Sequence, residues 1–274
     1  MRVCFGTVIY KQAQEFFADL VRSVEKQTAE EFDLLIINDN YSKEELYELD
    51  RPEDAIVVDM SDKKLSPGMY RIEMLLEAKR RGYDLLISGD ADDTFAPTRV
   101  EACIRAAQLD KDAAFYYNEL ITDTGAMVFK ELPDRVDDIR QLSQANFIGM
   151  STAAINLRAL SYEFLESLRE GGDTRIFDWY LFSRIVLDAG YGVLVRDAAT
   201  IYRIYDNNTV GVTHNIDQEL QVKLAHYEVL GQRYEYFRKL REDLLKLDLN
   251  TINTADNQQG YWWSNIRMEE RYEV

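Results

Sequence analysis

The chain has 274 residues, 46% hydrophobic and 12% aromatic, which is enough apolar material for one large domain or a domain with an appendage. Its 49 acidic residues against 32 basic ones give a net charge of −17, which argues against nonspecific nucleic-acid binding and adsorption to an anionic membrane. No apolar run approaches the roughly 20 residues that span a bilayer, and the opening Met1-Arg2-Val3-Cys4-Phe5-Gly6 has no signal-peptide pattern.

Arg2 to Ile9 is a β-rich run, and Gln12 to Lys26 carries Phe16, Phe17, Leu20, Val21 and Val24 at helical spacing. Phe32 to Ile37 reads as a second buried strand ending in Asn38-Asp39-Asn40, and Ala55 to Asp59 as a third. Pro67 opens a helix with Met69, Ile72, Leu75, Leu76 and Ala78 as its apolar positions. Tyr83 to Ser88 is the fourth strand, and Pro97 starts a helix towards Leu109. Proline suits a first helical turn, where its missing N–H has no helical partner anyway. Such alternation implies right-handed crossovers and a largely parallel sheet. Cys4 and Cys103 fall in apolar contexts, as expected of reduced thiols in a cytoplasmic protein.

Beyond residue 110 the pattern changes. Ala113 to Leu120 and Ala126 to Lys130 flank Thr122-Asp123-Thr124-Gly125 and predict a hairpin. Ala153 to Leu157 predicts a strand, Arg158 to Arg169 a helix, Gly171-Gly172 a break, and Phe177 to Ala189 another helix. Strands are predicted at Val193 to Val195 and at Thr200 to Ile204. Ile216 to Leu249 is charged and periodic, one or two helices outside the sheet with a solvated polar face or a homo-oligomer interface. Trp262 and Trp263 read as the packing of a terminal segment, with sugar stacking or a partner interface as alternatives.

The chemistry concentrates in Leu85-Leu86-Ile87-Ser88-Gly89-Asp90-Ala91-Asp92-Asp93, an apolar run ending in three carboxylates. Open α/β sheets bind ligands at the carboxyl ends of their strands. Crowded carboxylates there raise one another's pKa unless a cation neutralises them. A hard divalent ion, Mn²⁺ or Mg²⁺, is the natural neutraliser, and it keeps positions open for substrate phosphates. In an extended chain Asp90 and Asp92 fall on one side, able to share that ion. An acidic loop capping the next helix, with Asp93 or Thr94 near its N-terminus, is the plainer alternative.

In order, these elements resemble the inverting family 2 glycosyltransferases with the GT-A fold, from Val3 to about Tyr205. The resemblance rests on Thr7-Val8-Ile9-Tyr10-Lys11 with Glu15-Phe16-Phe17, on Ser23-Val24-Glu25-Lys26-Gln27-Thr28, and on Ile36-Ile37-Asn38-Asp39-Asn40. Arg71, Asp90-Ala91-Asp92-Asp93 in the place of a DxD motif, Asp178-Trp179-Tyr180-Leu181 with Arg184, and Tyr202-Arg203-Ile204-Tyr205 complete it. The usual Asp-Asp-Gly-Ser is Asn38-Asp39-Asn40-Tyr41 here, Arg71 is followed by Ile72 rather than Asn, and Phe177-Asp178 keeps one carboxylate of an acidic pair.

The resemblance implies an α/β GT-A fold, a mainly parallel central sheet flanked by helices. A GT-A-like domain is expected over 1–212, with a nucleotide-binding half at 1–110 and an acceptor half at 111–212, followed by a helical extension at 213–274. It implies transfer of a sugar with inversion from a nucleotide diphosphosugar, a UDP-sugar, to a saccharide or other hydroxyl acceptor. Asp178 is then the general base, since an acceptor hydroxyl is a poor nucleophile until deprotonated. Thr7, Tyr10, Lys11, Asp39, Arg71 and Asp90 are expected to hold the nucleotide, with Tyr10 stacking on the base and Arg71 clamping the diphosphate through its planar fork. Asp90, Asp92 and His214 are the expected metal ligands. The plainer alternative for Asp39 is a turn residue, for Arg71 a solvated helix face, for Asp178 a helix N-terminal acid, and for His214 a structural or surface histidine. Altered motifs leave a noncatalytic nucleotide-sugar-binding or assembly subunit as the alternative. A sugar nucleotidyltransferase ranks below it, because a Gly-rich first loop with a following basic motif is absent.

Overall fold

The computed structural model describes residues 1–203, 215–249, 252, 257–269 and 271–274. Val3–Ile9 (β1), Asp33–Asn38 (β2), Ile56–Asp59 (β3) and Leu85–Ser88 (β4) run parallel in the spatial order β3-β2-β1-β4. Past β4 the sheet continues with Thr94–Phe95 (β5), Phe115–Thr122 (β6), Arg135–Val136 (β7), Ala153–Asn156 (β8) and Gly192–Tyr202 (β9), in the order β8-β6-β9-β5, with β7 also paired to β9. β8 is antiparallel to both β4 and β6, whereas β6 and β9 form a long parallel ladder. The sheet is therefore mostly parallel, as the strand and helix alternation predicts.

The helices are Gln14–Glu25 (α1), Lys43–Glu48 (α2), Pro67–Arg80 (α3), Arg99–Leu109 (α4), Arg140–Ser143 (α5), Tyr162–Ser167 (α6), Phe177–Asp188 (α7), Ile216–Gly231 (α8) and Glu235–Lys246 (α9). Alternate residues of each central strand enter opposite cores, as a period of two requires. Phe5, Ile36 and Ile87 pack with Phe17 and Leu20 of α1, Leu46 of α2 and Val100 of α4. Cys4, Leu35 and Leu86 pack on the other side with Leu76 of α3, Leu165 of α6, Leu181 of α7 and Leu240 of α9. Burial on both faces explains why β1, β2 and β4 read as continuous apolar runs. Both cysteine thiols are free and buried. Among the described residues no helix is long and apolar enough to cross a membrane.

Four local expectations change. The segment expected to form a second hairpin arm, Ala126 to Lys130, contributes only an isolated bridge from Met127 to Ile121 before Lys130 turns away to bond the Gln259 carbonyl at 3.1 Å. The helix expected from Arg158 begins at Tyr162, because the Ser161 hydroxyl caps it by accepting the Phe164 N–H at 3.1 Å. The strands expected at Val193 to Val195 and Thr200 to Ile204 are one: Arg196, Asp197 and Ala198 are skipped in the register with β6, a bulge that bends β9 without ending it. The charged 216–249 segment forms two helices, but α8 buries Glu219, Lys223 and His226 instead of presenting a purely solvated polar face.

Candidate active site

The carboxyl ends of β1, β2 and β4 lie side by side at one edge of the sheet, where an open α/β sheet collects ligands. Tyr10 follows β1 directly and Asp39 follows β2. In-register pairing of Ile9 with Asn38 sets them side by side, with the Asp39 N–H bonded to the Ile9 carbonyl at 3.0 Å. Asp90 follows β4 after Gly89, whose N–H bonds the Gly6 carbonyl of β1 at 3.0 Å.

Arg71 comes to this place through a close backbone contact. The Ser66 hydroxyl, which caps α3, also donates to the Gly172 carbonyl at 2.9 Å. A Cβ at Gly68 would lie 2.3 Å from that same carbonyl oxygen, so only glycine lets α3 sit this near the chain entering α7. Arg71, one turn on, faces Asp178 in the first turn of α7. Its Nη1 donates to Asp178 Oδ1 and its Nη2 to Asp90 Oδ1 at 2.8 Å. The side chains of Arg71, Asp90 and Asp178 are 21%, 33% and 18% exposed, so the bridge is partly sheltered yet open to a ligand. The other Asp178 oxygen accepts the Met150 N–H at 3.1 Å. Burial pushes the Asp178 carboxyl above its usual range, with Arg71 opposing and Asp90 adding to the rise. Burial acts to lower the Arg71 pKa, but Asp178 and Asp90 outweigh it and hold the guanidinium charged.

The acidic loop rests on a buried scaffold. The Asp90 N–H donates to the Ser151 hydroxyl at 3.2 Å, and Asp93 points inward, 3% exposed. Burial raises the Asp93 carboxyl well above its usual range, with Asp90 and Asp92 adding to it, while bonds from Ser151 and the Arg203 N–H oppose. Arg203 closes the loop from β9, with N–H to Asp93 Oδ1 at 3.3 Å, Nε to the Asp92 carbonyl at 3.2 Å and Nη2 to Asp19 at 2.7 Å. Beneath, fully buried Arg99 bonds the Ser88 carbonyl at 2.8 Å, the Ser151 carbonyl at 2.9 Å and Asn118 Oδ1 at 2.8 Å. The tight turn Met150–Thr152 thus ties Asp178, Asp90 and Arg99 together.

Tyr10, Arg71, Asp90, Asp92 and Asp178 gather at these strand ends. Burial raises the pKa of the Tyr10 phenol, and the nearby Asp92 and Asp90 carboxylates raise it further. Asp39 lies half-buried beside Tyr10, within reach of the Tyr70 hydroxyl. Thr7 lies deeper, inside β1, and its buried hydroxyl has no hydrogen-bond partner among the described residues. Lys11 turns aside to Glu45 at 2.8 Å, while its N–H bonds the Asn40 side chain at 2.8 Å. Arg184 is internal, bonded to Asp188, Tyr180 and Ser167. His214, Ile204 and Tyr205 lie outside the described residues. Among the described residues no group of three or more His, Cys, Asp or Glu side chains is arranged to hold a metal. Inward-turned Asp93 leaves Asp90 and Asp92, a donor set that fits a hard ion completing its shell with phosphate oxygens and water.

Sequence reasoning missed Met150, Ser151 and Arg99. Gly149-Met150-Ser151-Thr152 signals a turn, but nothing in it announces that the Met150 N–H will face a carboxylate 28 residues on.

No family model matches the chain, and no curated protein matches it. Solved structures do. Residues 1–349 of S. aureus TarS in complex with UDP-GlcNAc align with 91% of this chain and 77% of that one, at a TM-score of 0.52 and 14% identity. Another structure of residues 1–349 of TarS aligns with 96% of this chain and 99% of that one, at a TM-score of 0.53 and 12% identity. The mannosyltransferase PcManGT of Pyrobaculum calidifontis, in complex with GDP-Man and Mn²⁺, aligns with 85% of this chain at a TM-score of 0.54 and 12% identity, and the chain spans 65% of its length. The architecture is that of the GT-A glycosyltransferases. At this identity the likeness concerns the fold alone, and the roles of Arg71, Asp90 and Asp178 rest on their own chemistry.

Proposed function

We propose that this chain is a family 2-like glycosyltransferase that moves a sugar from a nucleotide diphosphosugar, a UDP-sugar first, to a hydroxyl of a saccharide or other acceptor. The observation that carries the reading is the single guanidinium of Arg71 joining Asp90 below β4 to Asp178 at the start of α7. A diphosphate entering the site competes with both carboxylates for that fork, since a guanidinium pairs as well with phosphate. Asp178 is then free to act. Burial raises its pKa, the direction that makes a carboxylate a stronger proton acceptor.

The acceptor oxygen forms a bond to the anomeric carbon as the bond from that carbon to the diphosphate oxygen breaks. Asp178 takes the hydroxyl proton, and the nucleoside diphosphate leaves with the electron pair. Attack from the face opposite the leaving group inverts the anomeric centre. Asp90 and Asp92 would hold Mn²⁺ or Mg²⁺, which supplies charge neutralisation at the departing diphosphate. Tyr10 and Asp39 are the groups for the base and ribose, the buried Thr7 hydroxyl is a spare donor beneath them, and Lys11 serves only if it leaves Glu45. In this reading 1–110 carries the donor, 111–212 the acceptor, 213–274 forms a supporting extension, and the reaction belongs in the cytoplasm.

The neighbours' complexes with UDP-GlcNAc, UDP and GDP-Man support testing UDP and GDP first. UDP or GDP with Mn²⁺ should raise the melting temperature, and Asp178→Asn should keep that rise while transfer falls by about 10²- to 10⁴-fold. No nucleotide effect with any common diphosphate overturns the reading. Nucleotide binding without hydrolysis or transfer over a broad acceptor panel would assign the chain to the noncatalytic alternative.

A further inference from the structure

Residues 257–269 form a fixed wall beside the candidate site. Trp262 and Asn146 exchange backbone hydrogen bonds, each N–H donating to the other's carbonyl at 2.9 Å. The Tyr261 hydroxyl donates to the Glu131 carbonyl at 2.6 Å. From α8, Glu219 accepts the Ile266 N–H at 2.6 Å and the Asn265 amide at 2.8 Å. Buried Lys223 donates to the Ile266 carbonyl and, at 2.6 Å, to the Gln144 carbonyl. These bonds hold the backbone on both sides of Trp262.

The ring makes a T-shaped contact with Phe129, centroids 4.9 Å apart, and packs against the cluster of buried Trp179 and Trp263. Trp262 itself stays partly exposed. Its six-membered ring reaches Gly149, where a Cβ would sit 3.7 Å from Trp262 Cη2 and 3.7 Å from Asp178 Oδ2. The indole and the carboxylate therefore flank the same methyl-sized space. A rigid apolar ring beside a proton acceptor matches a pyranose, whose C–H face stacks on an indole while an edge hydroxyl meets the carboxylate. A flexible lipid alcohol would have no use for a fixed platform of this kind.

We propose that Trp262 is the stacking platform of the acceptor subsite and that the acceptor is a pyranose saccharide. This rests on the reading of Asp178 as the base, and the test separates the two. Methyl glycosides of glucose, N-acetylglucosamine, galactose and mannose are titrated into the full chain with UDP and Mn²⁺. The indole N–H signal of Trp262 is followed by NMR, assigned by its loss in Trp262→Phe. At least one glycoside should move that signal saturably, and Trp262→Ala should raise the KM for that glycoside about tenfold with a smaller change in kcat. UDP affinity should be the same in Trp262→Ala and the parent. Gly149→Ala, which fills the shared space, should weaken the same glycoside while retaining UDP. If UDP binds but no glycoside moves the Trp262 signal, or if Trp262→Ala keeps the parent KM, the platform is overturned while the donor site stands. If UDP fails to bind yet a glycoside moves the signal, the donor reading falls and the saccharide subsite remains.

Discussion

His226 lies on α8 with its imidazole stacked on Trp179 at 4.0 Å and 17° between planes, and the ring edges of Tyr227 and Phe237 close around it. Its Nε2 has no hydrogen-bond partner among the described residues. Burial, and then the Lys223 ammonium one turn away, push its pKa down to about 3. Glu219 and Arg267 are the other charged groups acting on this cluster. An unfolded histidine titrates near 6.5, so between about pH 6.5 and about pH 3 the unfolded chain binds a proton that the folded chain refuses. Folded stability is then lost as pH falls from about 6.5, by about 1.4 kcal/mol per unit. At about pH 5 the loss comes to about 2 kcal/mol relative to about pH 7.5. His226→Phe keeps an aromatic ring on Trp179 and removes the proton site. Equilibrium urea unfolding of both proteins at these two pH values isolates the term, because every carboxylate that titrates is common to the pair. The stability gap should shift by about 2 kcal/mol in favour of the variant on acidification. A gap that stays constant would refute the argument that this imidazole is buried and neutral.

Two further outcomes follow from the site and its support. Arg71→Lys keeps the charge but cannot reach Asp90 and Asp178 together, so UDP affinity, read by isothermal titration, should fall about tenfold or more, and an unchanged affinity removes Arg71 from the diphosphate. Lys223→Met strands buried Glu219, and with it the wall at 257–269, at a cost of about 3 kcal/mol in urea unfolding. The double variant Lys223→Met with Glu219→Gln should recover part of that loss, and strictly additive effects would mean the two side chains do not interact.

Much of the sheet was legible because burial on both faces writes β1, β2 and β4 as unbroken apolar runs, and because Pro67 and Pro97 mark where helices begin. Asp90, Arg71 and Asp178 were legible as chemistry at strand and helix ends, and the structure joins them through one guanidinium. The turn at Met150–Thr152 was not, because it acts through a backbone N–H and a small hydroxyl that many sequences could supply. Nor was the interior of α8. Glu219, Lys223 and His226 follow i, i+4, i+7 spacing on one face, yet charge on a helix reads as solvated until partners at Gln144 and Ile266 are known. The three residues that β9 skips against β6 likewise look like a gap between strands when only their polarity is visible.

The glycine contact under Arg71 also limits how this chain can change. A Cβ at Gly68 would meet the Gly172 carbonyl oxygen at 2.3 Å, and one at Gly172 would meet Met69 Sδ at 2.3 Å. Side-chain growth at Gly68 would push α3 away from Asp178, and growth at Gly172 would displace the Met69 side chain that packs on it. Segments 66–71 and 171–178 must therefore be inherited as a pair, and a chimera that exchanges one without the other would lose the register between guanidinium and carboxylate even where every charged residue is preserved.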